Sequence, residues 1–296
     1  MNDNHTIVID EPVGDGLLRR WSVSDVKHTG RTAFQDVIIG TTTQGMSLFC
    51  GGERQSTEQT QWHYHEALVI PGLLLAQHHR RGLIIGSSEG VASQMLVAQG
   101  FEHIDHVDID AECVRLCAEH LPYGYSTNEI DALVTGAGPV SLIFADGADF
   151  VSRAAEAGTT YDVIIVDLPD ESGEGGAQQD RLYHKDFLNQ CAGLLALGGA
   201  VVYQAGCPTL WRQNTLIRSA TRFHQTFASV LPYVSDEHEW VFLAGSSVPL
   251  DATAVVDQAV ERLTKLAAQP TTIDAAAIRR GAILPHHVRL EMEQSR

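Results

Sequence analysis

The chain has 296 residues, with 20 Lys+Arg against 37 Asp+Glu and a formal net charge of −17. Its 44% hydrophobic and 7% aromatic content is that of a globular chain, long enough for one large domain with a small partner. The acidity argues against a nucleic-acid backbone or an anionic membrane as the main partner, because both recruit clustered Lys and Arg; it suits a cationic ligand, or serves only to keep the chain dispersed.

Residues 1–61 read as a small β domain. Thr32–Gly40 is a β-branched run, Thr41–Gly45 a turn and Met46–Cys50 a second strand, broken by Gly51-Gly52. From residue 62 to 296 the rhythm changes. Tyr64–Gln77 has helical apolar spacing that Pro71-Gly72 should interrupt. Strands follow at Gly82–Gly86, His106–Asp110, Ser141–Ala145, Tyr161–Asp167 and Ala200–Gln204. Helices are expected at Val91–Gln99, Ala111–His120 and Phe187–Leu197, with a largely helical Thr209–Leu231. Glu239–Ala244 reads as a last strand, and Asp251–Ala267 as an amphipathic helix before a less regular end. This alternation predicts an α/β fold, a doubly wound, mostly parallel sheet with helices on both faces.

No stretch approaches the roughly 18 apolar residues of a membrane span. The opening MNDNHTIVIDEPVGDG lacks the basic-then-apolar order of a signal peptide. Cys50, Cys113, Cys117, Cys191 and Cys207 form no C-x-x-C pair, which reads as free thiols in the cytoplasm. No metal site is expected: His63, His65, His78 and His79 lack matching acidic or thiolate spacing.

In an open α/β sheet the ligand lies beyond the carboxyl ends of the strands. Those ends carry Gly86-Ser-Ser-Glu89-Gly90, then Asp108 and Asp110, Asp146-Gly147, Asp167-Leu-Pro-Asp170, and Gln204. Glu89 sits where a phosphate would otherwise approach the glycine loop, so the edge would repel a pyrophosphate and attract a sulfonium nucleoside or an amine. Asp108 is placed to accept hydrogen bonds from ribose hydroxyls. Asp167 and Asp170 lie close enough to perturb each other, and such a carboxylate can act as general base. The plainer alternatives are a structural turn at the loop and a capping role for Asp170.

Together these motifs resemble the spermidine synthase (polyamine aminopropyltransferase) family. The likeness runs from about Thr32 to Ser246, through Leu48-Phe-Cys-Gly-Gly52, Gln55-Ser-Thr-Glu58, Tyr64-His-Glu66, the glycine loop, Val107-Asp-Ile-Asp110, Asp146-Gly147, Asp167-Leu-Pro-Asp170, Leu182-Tyr183 through Phe187, and Gln204. The resemblance implies a Rossmann-like, methyltransferase-type domain behind the N-terminal β domain. Gln55, His65, Gly86, Glu89, Asp108, Asp146 and Gly147 would hold decarboxylated S-adenosylmethionine, a co-substrate; no other cofactor is implied. Asp146 would take the adenine amino group and Glu89 the amine of the aminopropyl arm. Tyr64, Asp167, Asp170, Gln204 and Tyr233 would hold putrescine or another polyamine, with Asp167 as general base and Tyr64 and Asp170 beside it in catalysis. A homodimer or homotetramer is implied, its contact supplied by the N-terminal hairpins.

The departures from the family pattern gather on the amine side. Gly51 replaces an Asp, Glu53-Arg54 replaces apolar residues, Glu171 replaces a proline, and Ser235–Glu239 is unlike the usual segment. The glycine loop has Ser87-Ser88 for two glycines and Glu89 for a shorter Asp. The acidic, glycine-rich Asp167–Asp180 reads as a gate over a cationic acceptor or as a solvated loop. Trp62, Trp211 and Trp240 are expected in core or rim. The rival readings are a methyl- or 3-amino-3-carboxypropyl transferase using intact S-adenosylmethionine, and a non-catalytic polyamine-binding relative.

Overall fold

The structure is a computed structural model describing residues 6–172, 176–237 and 239–294. Its first sheet is antiparallel in sequential order: β1 (Ile7–Gly14), β2 (Leu17–Arg31), β3 (Asp36–Thr42), β4 (Gly45–Cys50) and β5 (Glu53–Thr57). Helix α1 (Gln61–Leu75) leads into the second sheet. That sheet comprises β6 (Arg81–Gly86), β7 (His103–Asp108), β8 (Val140–Phe144), β9 (Tyr161–Asp167), β10 (Leu195–Gln204), β11 (Ser229–Val234) and β12 (Val241–Ser246), in the order β11-β12-β10-β9-β6-β7-β8. Strands β10 to β8 are parallel; β12 and β11 are antiparallel additions. From β6 the chain builds outward through β7 and β8, then returns to the other side of β6 with β9. The crevice between β6 and β9 is therefore the topological switch point, where such sheets bind ligands.

The helices between strands are α2 (Val91–Ala98), α3 (Ala111–His120), α4 (Thr127–Val134), α5 (Gly147–Glu156), α6 (Lys185–Gly193) and α7 (Asn214–Thr226). Three more, α8 (Ala252–Leu263), α9 (Ala275–Gly281) and α10 (His286–Gln294), close the chain. Strand β9 shows why its sequence is a continuous apolar run. Val163 and Ile165 are buried with Leu68 and Leu74 of α1 and Val255 of α8, while Ile164 and Val166 are buried with Phe187 of α6 and Phe223 of α7. A strand covered on both faces has no polar side to alternate with.

Three expectations need correction. Pro71 does not interrupt α1; the lost backbone donor is offset by burial, since the helix is buried from His65 to Leu75. Gly72 lets α1 approach the sheet, because a Cβ there would stand 2.3 Å from Val202 Cγ2. The helix expected to reach Leu197 ends at Gly193, and β10 begins at Leu195. The stretch expected to be helical to Leu231 divides into α7 and β11. Pro232 sits within β11, which a sheet-edge strand tolerates and a helix interior does not. The C-terminal segment is fastened to α1 by Glu66, whose buried carboxylate accepts hydrogen bonds from the amides and hydroxyls of Thr271 and Thr272 at 2.6–2.9 Å.

Candidate active site

At the switch point a cavity opens between the first sheet and the carboxyl ends of β6, β7, β9 and β10. The glycine loop forms its floor. Gly86 has φ 83°, and a Cβ on it would lie 2.0 Å from the Asp167 carbonyl oxygen. No side chain fits there, which explains a glycine at the end of β6. Ser87 is also left-handed, φ 65°, and its buried hydroxyl has no hydrogen-bond partner among the described residues. A left-handed non-glycine residue holds backbone strain, and such strain gathers at functional sites. Behind the loop, burial pushes His106 down to about 4, so the ring is neutral near pH 7. Its Nε2 donates to the Gly86 carbonyl at 2.7 Å and its Nδ1 accepts from the Tyr125 hydroxyl at 2.8 Å.

Carboxylates line this end of the cavity. Burial pushes Asp108 up to about 7, with the Asp110 amide and the Ser88 hydroxyl pulling the other way; they donate to its two oxygens, each at 2.8 Å. Asp110 caps α3 through the Cys113 amide at 3.0 Å and accepts from Thr32 Oγ1 at 2.7 Å and Gln35 Nε2 at 3.1 Å, so it clasps the first sheet to the second. Burial likewise raises Glu89, against the pull of His65, and the charge on Asp167 raises it further. Asp146 caps α5 by accepting from the Ala148 and Asp149 amides at 2.9 and 3.2 Å. Its other oxygen is ion-paired with Arg181, a cation that the spacing of motifs did not bring to this place.

The β9–β10 end is arranged differently. Tyr64, reaching in from α1, donates its hydroxyl to Asp167 Oδ1 at 2.5 Å. Its ring stands edge-on to Trp240 and Phe242 at 6.0 and 5.1 Å, which fixes where the hydroxyl points. Burial first, then the Asp167 charge, drives the Tyr64 phenol well above its usual range, so it stays a donor. Asp170 accepts from Gln204 Nε2 at 2.8 Å on one oxygen and from Arg212 Nε at 3.1 Å on the other. Arg212 also reaches Glu53 Oε2 at 3.0 Å. Burial pushes the Glu53 carboxyl up, with Arg212 opposing.

Among the described residues of the loop after β9, the carboxylates of Glu171 and Asp180 are already partnered within the protein. Glu171 is clamped by Arg218 and Arg222 at 2.7 and 3.1 Å. Asp180 accepts from the Ser172 amide and hydroxyl and from the Gly176 and Ala177 amides at 2.6–2.9 Å. Glu174, part of the expected gate, and His238, part of the unusual 235–239 segment, lie outside the described residues, as do residues 1–5.

Of the residues singled out in the sequence, Gln55, Tyr64, Gly86, Glu89, Asp108, Asp146, Gly147, Asp167, Asp170 and Gln204 all line the cavity. His65 and Tyr233 do not. His65 is buried behind it, with Nδ1 on the Gln61 carbonyl at 2.7 Å, and acts on Glu89 from that side. Tyr233 is buried against α9, and a Cβ on Gly281 would stand 2.8 Å from its ring. Tyr233 therefore lies away from the expected acceptor site, whereas Trp240, buried in the core as expected, also presents its ring to the cavity. Phe34 and Arg181 also line the cavity and carried no motif signal; Glu53 lines it too, one of the departures from the family pattern, as do Gln178 and Gln179 of the Asp167–Asp180 segment. Among the described residues no group of three or more His, Cys, Asp or Glu is placed to hold a metal ion, and no helix is long and apolar enough to cross a membrane.

The family model for the spermine/spermidine synthase domain matches residues 61–236. The chain belongs to the spermine/spermidine synthase family. Polyamine aminopropyltransferase 2 of Hyperthermus butylicus is 35% identical over 244 residues, 79% of this chain and 74% of that one. The polyamine aminopropyltransferase of Synechococcus sp. (strain JA-3-3Ab) is 33% identical over 213 residues, 69% and 64% of the two chains. Among solved structures, a spermidine synthase in complex with the transition state analogue AdoDATO has a TM-score of 0.82 at 16% identity, covering 99% of this chain and 98% of that one. The spermidine synthase of Thermotoga maritima has a TM-score of 0.79 at 15% identity, covering 99% and 97%. Both likenesses concern the fold, including the N-terminal sheet that the family model leaves out.

Proposed function

We propose that this chain is a polyamine aminopropyltransferase, moving the aminopropyl group of decarboxylated S-adenosylmethionine to an amine acceptor and releasing methylthioadenosine. The observation that carries the reading is the Tyr64–Asp167 pair at the end of β9, sharing one cavity with the buried Glu89. An alkylammonium has a pKa near that of Lys, about 10.4, so it arrives protonated and without a lone pair to attack. Asp167 takes the proton while Tyr64 fixes the carboxylate. The freed nitrogen attacks the aminopropyl carbon next to the sulfonium; the new C–N bond forms as the C–S bond breaks, and its electron pair leaves on sulfur as a neutral thioether. Positioning both reactants in one cavity supplies much of the acceleration.

The other roles follow from the geometry. Asp108 would accept from the ribose hydroxyls, and Gln55, Gly86 and Gly147 would line the donor's path. Glu89 would pair with the arm's ammonium and repel the carboxylate of the intact donor. Asp146 reaches an adenine amino group only when Arg181 releases its oxygen. Asp170 and Gln204 would bound the acceptor. We place the chain in the cytoplasm, in keeping with its five free, buried cysteines. We propose a homodimer or homotetramer built through the first sheet, whose β1–β2 hairpin exposes Val8, Leu17 and Leu18.

Asp167→Asn tests the assignment. We expect kcat to fall by about 10³-fold, within the range of a lost general base, with methylthioadenosine affinity kept by calorimetry. Turnover near that of the unmodified chain would remove Asp167 from the base role.

A further inference from the structure

Beside the amine end of the cavity sits a cation of the protein's own. Arg212 lies in the segment before α7. Its Nη2 donates to Glu53 Oε2 at 3.0 Å, its Nε to Asp170 Oδ2 at 3.1 Å, and its guanidinium carbon stands 5.6 Å from the Trp240 ring centre. Gln204 holds the remaining oxygen of Asp170. The guanidinium, 159 positions from Glu53 in sequence, thus ties a residue of the first sheet to one at the end of the second. Glu53, Gln55, Asp170 and Gln179 line both this cavity and an adjoining one that runs on beside Trp211 and Arg218. Arg212 lines the adjoining cavity and spans the two carboxylates at the junction.

We infer that Arg212 is the stop that sets acceptor length: it occupies the place between Glu53 and Asp170 where a longer polyamine would put its next ammonium. This deepens the aminopropyl-transfer reading and rests on it. Two carboxylates without the arginine would offer a formal charge of −2 to a passing ammonium; with it the trio carries −1, and its best bonds are already made. An incoming ammonium must displace a two-pronged guanidinium, whose fixed fork suits carboxylates better than an ammonium does. A diamine ends before the junction. A triamine has to cross it, and its extra cation meets the guanidinium.

The test compares kcat/KM for 1,4-diaminobutane and spermidine, each with decarboxylated S-adenosylmethionine, in the unmodified chain and in Arg212→Ala and Arg212→Gln. Thermal melting and methylthioadenosine binding verify that each variant folds. The unmodified chain should favour the diamine by about tenfold or more, and both variants should move the ratio about tenfold toward the triamine, a shift of the size that one remade polar subsite supplies. Equal use of both amines by the unmodified chain, or a ratio that neither variant moves, overturns the inference and leaves aminopropyl transfer standing. No methylthioadenosine with either amine overturns the function reading and the inference together.

Discussion

The two ends of the cavity treat their carboxylates in opposite ways. At the glycine-loop end, Asp108 and Glu89 are buried with neutral donors or a histidine beside them, and burial holds both above the ordinary carboxylate range. At the β9–β10 end, Asp170, Glu53 and Glu171 are matched by Arg212, Arg218 and Arg222. At the first end, among the described residues, Asp108 and Glu89 have no ion pair with Lys or Arg and only Asp146 is bridged, to Arg181; the second end has spent most of its charges on internal bridges. Asp167 lies between, held by a phenol, and is the carboxylate that the proposed reading assigns to the amine. On the proposed reading, the donor would be bound at one end of this sheet edge and the acceptor selected at the other.

The largest break in this contrast should come from Glu89→Gln. Removing a buried charge that faces a cationic arm should lower kcat/KM for the decarboxylated donor by about 10²-fold, in line with losing one partner of a desolvated ion pair. It should also narrow the preference over intact S-adenosylmethionine, while the ratio between acceptors stays fixed; a change confined to acceptor choice would contradict the division of the cavity. A smaller effect concerns pH. If the ionised form of Asp108 accepts from ribose hydroxyls, as proposed, methylthioadenosine affinity should fall about tenfold as pH drops from 8 to 6 through the raised value, a pKa-limited loss. Calorimetry on Asp108→Asn should give a flat profile. The stability sign runs the other way: a carboxyl raised by folding favours the folded chain when protonated, and that contribution is lost as pH rises toward about 7. Asp108→Asn should therefore gain melting temperature at pH 8 and little at pH 5.

Much of the glycine-loop end was legible in the sequence because its residues sit at strand ends, and a strand end fixes which edge a side chain joins. Gly86, Glu89, Asp108, Asp146 and Asp167 fell where the alternation of elements put them. Tyr233 rested on the resemblance alone: it lies just past the stretch expected to be helical, Thr209–Leu231, and no strand was expected there to decide which way it faced. The arginines were hidden by distance. Arg54 meets Glu239 across 185 positions and Arg212 meets Glu53 across 159. Each departure from the family pattern on the amine side looked like an isolated oddity. In space they answer one another: Glu53 with Arg212, Arg54 with Glu237 and Glu239, Glu171 with Arg218 and Arg222.

The most direct test of the central claim is a mass-spectrometric product assay. The chain is incubated with a diamine and polyamine panel and with either decarboxylated or intact S-adenosylmethionine. Methylthioadenosine formed only from the decarboxylated donor, together with an amine heavier by one aminopropyl group, is the predicted result. Methylthioadenosine from the intact donor would mean carboxypropyl transfer, S-adenosylhomocysteine would mean methylation, and either would contradict the account.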